Sequence, residues 1–248
     1  MPTFSTTQWL LAILAAFCIG VSKSGFAGVG LVTVVLMARL FPPLESTGVL
    51  LPLLIVGDIL SVVVFHQHAQ WRHIWRMLPP TIIGIVGGFV LMQWISPRIF
   101  GPVIGGIVLA MVGLQLARIW GANLYAHVPH SRAFAWAIGV WSGIATMLAN
   151  AAGPVMALYF LAIKVPKYEF VGTSAWFFLL VNVFKVPFSA SLGLIDVRTL
   201  FFDALLLPVV ALGIQVGRWL IAVVPQKLFE ALLLAFAALA ALRLIGIF

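Results

Sequence analysis

The stretch Gly20-Val21-Ser22-Lys23-Ser24-Gly25-Phe26-Ala27-Gly28-Val29-Gly30 decides how the rest of the chain is read. It is a polar, glycine-rich interruption in an apolar run that extends from Gln8 to Phe41. One straight helix over that run would measure roughly 50 Å at about 1.5 Å per residue, against a hydrocarbon core of about 30 Å. The segment must therefore tilt strongly, break, or turn back. Irregular backbone at membrane depth needs protein or water around it. A lysine there calls for a polar cavity or an anionic partner. The plainer reading makes the glycines helix-packing residues and lets Lys23 reach an interface on its long stem.

Composition sets the class. The 248 residues are 63% hydrophobic and 8% charged, with a mean hydropathy of +1.18. Soluble domains are roughly 45–50% apolar and 25% charged. The chain is thus expected to be an all-α polytopic membrane protein, in contact with the lipid bilayer along its whole length. No basic stretch precedes Leu10 and no cleavage pattern follows, so the first run reads as a membrane segment, not a signal peptide. The net charge of +8 comes from basic residues scattered singly at the ends of apolar runs. That pattern suits anchoring to anionic lipid and argues against nucleic acid. Cys18 is the only cysteine, which excludes an intrachain disulfide and a cysteine-ligated cluster.

Outward from the opening break, Phe41-Pro42-Pro43-Leu44-Glu45 turns into a helix expected over Thr47–Phe65. A loop from His66 to Arg76 mixes bases with aromatics, as at a membrane interface. Helices are expected over Leu78–Trp94, opened by Pro79-Pro80, and over Ile99–Ile119. A polar loop from Trp120 to Arg132 then divides the chain.

The second part repeats the first. Gly143 to Pro154 again interrupts an over-long apolar run, Phe134 to Ile163. Pro166 to Gly172 echoes Pro42 to Gly48, and in that register Asp58 falls on Asn182. Leu78-Pro79 and Gly84 to Gly88 match Leu207-Pro208 and Gly213 to Gly217; Ser96 to Phe100 matches Pro225 to Phe229. Two homologous halves are expected, 1–125 and 126–248, each of about four hydrophobic segments with the first broken or hairpin-like. If each broken segment is a hairpin, the halves are inverted. Arg72, Arg76, Arg118, Arg132, Lys164, Lys167, Arg218 and Lys227 then share one side, and Arg39, Arg98, Arg198 and Arg243 the other. If each break crosses once, the same residues divide evenly. The positive-inside rule favours the inverted arrangement, with the N-terminus outside.

Two broken segments at corresponding positions point to a transport site where the repeats meet. Freed N–H groups at helix N-termini attract anions. Candidate substrate-binding residues are Ser22, Lys23, Ser24, Gly25, Gly28 and Gly30 at the first break, Thr146, Asn150 and Gly153 at the second, and Lys185. Two lysines favour an anionic substrate; the plainer reading of Lys185 is pairing with Asp196 or snorkelling. Asp58, deep in an apolar helix, is either the partner of a lysine or a titratable coupling site. Its counterpart Asn182 does not titrate, so coupling would be asymmetric. His66, His68 and His73 fit no helical metal-ligand spacing, so no metal and no cofactor is expected. An intramembrane serine hydrolase built on Ser22-Lys23 lacks a suitably placed base, and the phosphate-loop order is absent. No enzyme activity is expected.

Taken together, Gly25 to Gly30, Gly143 to Pro154 with its Ala-Gly-Pro ending, Gly172-Thr173-Ser174 and the paired glycines resemble the TauE/SafE family of sulfite-exporter-like permeases. The likeness covers essentially the whole chain. The first break departs from the commoner G-x-G-G-G form through Ser22-Lys23-Ser24 and Ala27. The resemblance implies movement of a small anion such as sulfite, a sulfonate, thiosulfate or a carboxylate across the bacterial inner membrane. Coupling to a proton or cation is the leading expectation, with an uncoupled channel as the alternative. A homo-oligomer is compatible with the sequence.

Overall fold

The computed structural model describes residues 4–26, 28–120, 132–163 and 165–223, with scattered positions between 235 and 246. Among the described residues are nine α-helices and a 3-10 turn. They are α1 (Thr6–Ser22), α2 (Val29–Leu40), α3 (Pro43–Phe65), α4 (Trp71–Trp94), α5 (Pro97–Trp120), α6 (Arg132–Ala149), α7 (Gly153–Ala162), α8 (Lys167–Ser191) and α9 (Val197–Val223), with the turn at His66–His68 between α3 and α4. Six of the described helices are long and apolar enough to cross a membrane. The chain is an all-α, multi-pass membrane protein. The interior of the polar loop before Arg132, Ala27, Lys164, and the sequence block from Pro225 to Phe229 lie outside the described residues.

Helix α4 begins seven residues earlier than the proline pair suggests. Ile74 and Met77 are fully buried, so the segment read as a loop has an apolar face to pack and winds into helix. Pro79 and Pro80 then sit inside α4. Membrane helices tolerate such prolines where neighbours cover the freed carbonyls, and Pro80 is buried against Gly139 of α6.

The first broken segment folds back on itself. α1 is anchored by a capping box between Ser5 and Gln8. It ends where Gly25 adopts φ +107°, a left-handed conformation that favours glycine. α2 returns along α1: Gly30 lies beside Ser22, Thr33 Oγ1 donates to Ala15 O at 3.3 Å, and Phe4 meets Phe41 edge-on at 5.7 Å. The second break turns at Asn150, with φ +51°. α6 runs parallel to α4, with Gly139 on Pro80 and Gly143 on Gly84. The far end of α7 returns to the start of α4, where His73 stacks against Tyr159 and Phe160. Both breaks are hairpins, but of unequal arms. α1 and α6 have 17 and 18 residues, and α2 and α7 only 12 and 10. The outgoing arms, about 25–27 Å long, therefore run well past half depth.

Two close helix crossings hold the hairpins. At one, β-carbons added to Gly20 and Gly213 would lie 2.2 Å from Val210 O and 2.3 Å from Phe17 O. At the other, β-carbons on Gly143 and Gly84 would lie 2.1 Å from Thr81 O and 2.1 Å from Val140 O. Only glycine lets the backbones approach so closely. Between them α3 and α8 cross antiparallel. Gly48 meets Leu194 at one end, Gly172 meets Phe65 at the other, and Asp58 meets Asn182 in the middle. Phe4, Phe41 and Phe202 gather at one end of the bundle. His68, Tyr168, Tyr159 and the starts of α4 and α6 gather at the other. The two hairpins thus enter from opposite ends.

Candidate functional site

The two hairpin tips converge on one cavity of about 80 Å³. By the measure of roughly 10–15 Å³ per water, it has room for about five waters or a small oxyanion. Ser22, Lys23, Gly25 and Gly30 line it from the first tip; Thr146, Asn150, Gly153 and Pro154 line it from the second. The N-termini of the two return helices, α2 and α7, open at these tips, where the leading N–H groups favour negative charge. α3 supplies Asp58 to the wall; α8 supplies Ser174, Phe178 and Asn182.

A continuous polar chain crosses the site. Lys23 Nζ lies 2.6 Å from Asp58 Oδ1, with the Lys23 side chain 11% and the Asp58 side chain 0% exposed. Asn182 Nδ2 donates to Asp58 Oδ2 at 2.7 Å. Lys185 Nζ donates to Asn182 Oδ1 at 3.5 Å, to Thr146 Oγ1 at 3.3 Å, and to Asn150 Oδ1. Asn150 Nδ2 in turn donates to Thr47 O at 2.9 Å, tying the second tip to the beginning of α3. Asn182 is well suited to the middle of such a chain, since its amide donates to the acid and accepts from the lysine. The ammonium of Lys23 also sits 5.2 Å from the centre of the Phe178 ring, a cation–π contact.

The arrangement answers the readings left open for both lysines. Lys23 is paired with Asp58 and does not snorkel. Lys185 is buried and bonded to neutral oxygens, not to Asp196, which caps the exposed start of α9 through Thr199. Ser24 leaves the expected cluster: fully buried, it donates to Ile214 O at 3.1 Å and packs against Gly217 at the α1–α9 crossing. One residue past Lys23, the chain has turned to face another helix. Gly28 caps α2 and is not among the cavity residues. Ser22 Oγ donates to Ile19 O at 2.7 Å, as a serine ending a helix does. His66, His68 and His73 face Val63 O, Tyr168 and Tyr159 respectively, each away from the cavity.

Three participants escape a linear reading. Ser61, one turn beyond Asp58, donates to Lys23 O at 2.9 Å and fixes the tip that carries the lysine. Phe178 looks like any other aromatic of an apolar helix. Ser174 lines the cavity, and its buried Oγ has no hydrogen-bond partner among the described residues. The available signals were the place of Ser174 in Gly172-Thr173-Ser174 and the helical spacing Ser174–Phe178–Asn182, which places all three on a single face of α8.

No curated protein and no solved structure matches the chain. The family model for sulfite exporter TauE/SafE matches residues 12–244, both hairpin tips and every residue of the polar chain included, and the protein belongs to the TauE/SafE family.

Proposed function

We propose that the protein is a secondary transporter that moves a small anion, such as sulfite, a sulfonate, thiosulfate or a carboxylate, across the bacterial inner membrane with coupling to a proton. The observation that carries this reading is the Lys23–Asp58 pair in the wall of a cavity onto which two helix N-termini open. The unpartnered Ser174 hydroxyl supplies a further donor for a ligand. In this reading Asp58 and the substrate compete for one ammonium. While Asp58 is ionised it holds Lys23; once it takes a proton, Lys23 is released to hold the anion. Proton and anion then travel together, and a buried lysine is at no stage left uncompensated. Asn182 and Lys185 relay the change to Thr146 and Asn150 on the other tip.

The two halves, 1–125 and 126–248, are taken as inverted repeats that rock about the Asp58–Asn182 contact. The paired glycine crossings support this, as does the antiparallel meeting of α3 and α8. The end of the bundle carrying Arg72, Arg76 and Arg132 is then cytoplasmic. Transport is preferred to hydrolysis because the Ser22 and Ser24 hydroxyls are both committed to backbone carbonyls.

The test is uptake into proteoliposomes under an imposed pH gradient. Asp58→Asn is expected to abolish gradient-driven accumulation and to retain exchange of labelled for unlabelled anion. A variant that still concentrates substrate at the wild-type rate would make Asp58 purely structural.

A further inference from the structure

We propose that the cytoplasmic ends of α4 and α6 form a binding site for the phosphodiester headgroup of an anionic membrane lipid. Three guanidinium groups stand here at the head of an apolar lane. Arg72, Arg76 and Arg132 line one groove of about 510 Å³ together with Trp75, Trp136 and Pro79. The parallel packing explains the convergence. With Gly139 seated on Pro80, Arg132 and Trp136 of α6 stand at the same height as Arg72 and Arg76 of α4. Guanidinium forks match phosphate oxygens in pairs, and Arg is favoured over Lys for that reason.

The position identifies the source of the phosphate. Arg72 and Arg76 fall in the first two turns of a membrane-spanning helix of 24 residues, about 36 Å long. That length exceeds the hydrocarbon thickness, which sets the first turn at headgroup level and leaves the long Arg76 side chain within snorkelling reach of it. Trp75 and Trp136 are 62% and 49% exposed, the placement of interfacial indoles. Below the groove, on the same face of α4, Ile83, Val86 and Val90 continue the stripe begun by Trp75 and Pro79, and all three are exposed. A bound headgroup would therefore have its acyl chains laid along an apolar surface.

Packing alone does not require this chemistry. At the corresponding place on the α1–α9 crossing stand Phe201, Leu205, Trp9 and Ile13, with no cation among them. Clustered bases between membrane helices on the cytoplasmic side are the pattern that retains anionic headgroups.

Binding would be measured on the full-length protein by native mass spectrometry and by thermal unfolding. The probes are phosphatidylglycerol, phosphatidylcholine of the same acyl chains, and inorganic phosphate. Wild type is expected to prefer phosphatidylglycerol, and the paired change Arg72→Gln with Arg132→Gln to weaken that preference by about fivefold per arginine removed. Changing Arg98 and Arg198, at the opposite end, should leave it intact. Equal binding of the two lipids by wild type overturns the proposal, and so does a preference that survives the paired change. Should inorganic phosphate stabilise wild type as well as the lipid does, and lose that effect in the paired variant, the groove is a soluble-oxyanion site and the lipid assignment falls. If the paired variant does not fold, Arg132→Gln alone and Arg72→Lys with Arg132→Lys carry the same comparison, the lysines retaining charge and the glutamine losing it.

Discussion

The two hairpin tips reach the cavity in the same way and bring opposite chemistry to it. The first carries its cation on the tip, Lys23, and is steadied by a hydroxyl from the neighbouring helix, Ser61. The second carries hydroxyl and amide on the tip, Thr146 and Asn150, and receives its cation from the neighbouring helix, Lys185. Lysine and hydroxyl have changed places across the centre. The acid has not been duplicated, since Asp58 faces Asn182. The first tip thus meets a charged pair, Lys23 with Asp58. The other holds a lysine among neutral oxygens. A frame of matched glycine crossings therefore houses one tip with an ion pair and one with a lysine among neutral oxygens.

The largest expected effect falls on the charged tip. Lys23→Gln strands the fully buried Asp58, and removing one partner of a buried pair costs about 3–5 kcal/mol. Adding Asp58→Asn should recover most of that loss, because the remaining pair is neutral and hydrogen-bonding. Denaturant unfolding of both single variants and the double measures the coupling. If Lys23→Gln unfolds at the wild-type midpoint, the ion pair contributes nothing and the contrast between the tips disappears.

A second comparison tests the frame. A β-carbon at Gly20 or at Gly143 would stand within 2.2 Å or 2.1 Å of a carbonyl oxygen on the partnering helix. Gly20→Ala and Gly143→Ala should each destabilise by about 1–3 kcal/mol, the usual cost of overpacking. Near-equal losses would mean that the crossings are mechanically equivalent. A large loss at one and none at the other would show that a single crossing holds the bundle.

The smallest effect lies at the helix starts. α9 opens on an acid: Thr199 N–H donates to Asp196 Oδ1 at 2.7 Å, and this bond holds the exposed carboxyl below its usual range. α4 opens instead on arginines, with Gln70 N–H donating to Thr173 Oγ1. Since the folded pKa of Asp196 is depressed, its contribution is complete above the unfolded value of about 3.9 and is lost as pH falls through the folded value. The melting-temperature gap between wild type and Asp196→Asn should accordingly narrow as pH falls from about 5 towards about 2. A gap that stays constant would assign the cap no charge component.

Much of the molecule was legible in order along the chain. Run lengths and composition required membrane helices, and the segment around Ser22–Gly30 had to tilt, break or turn back, because an upright unbroken helix there would overshoot the bilayer; only the structure chose the turn. Sequence echoes made Asp58 and Asn182 corresponding positions; that the two are bonded to each other is a fact of the tertiary structure alone. Lys23 and Lys185 were marked by the cost of burying an ammonium, which any apolar run makes visible. What stayed hidden depended on rotation about a helix or on partners distant in sequence. Ser24 and Lys23 are neighbours in the chain, yet one faces α9 and the other Asp58, because the hairpin turn sends successive side chains to different helices. Ser61 and Phe178 carry no mark of function until α1, α3 and α8 meet. The start of α4 followed the burial of Ile74 and Met77, not the proline pair. Hydrophobicity and charge are properties of single residues and survive in a linear reading; facing is a property of packed helices and does not.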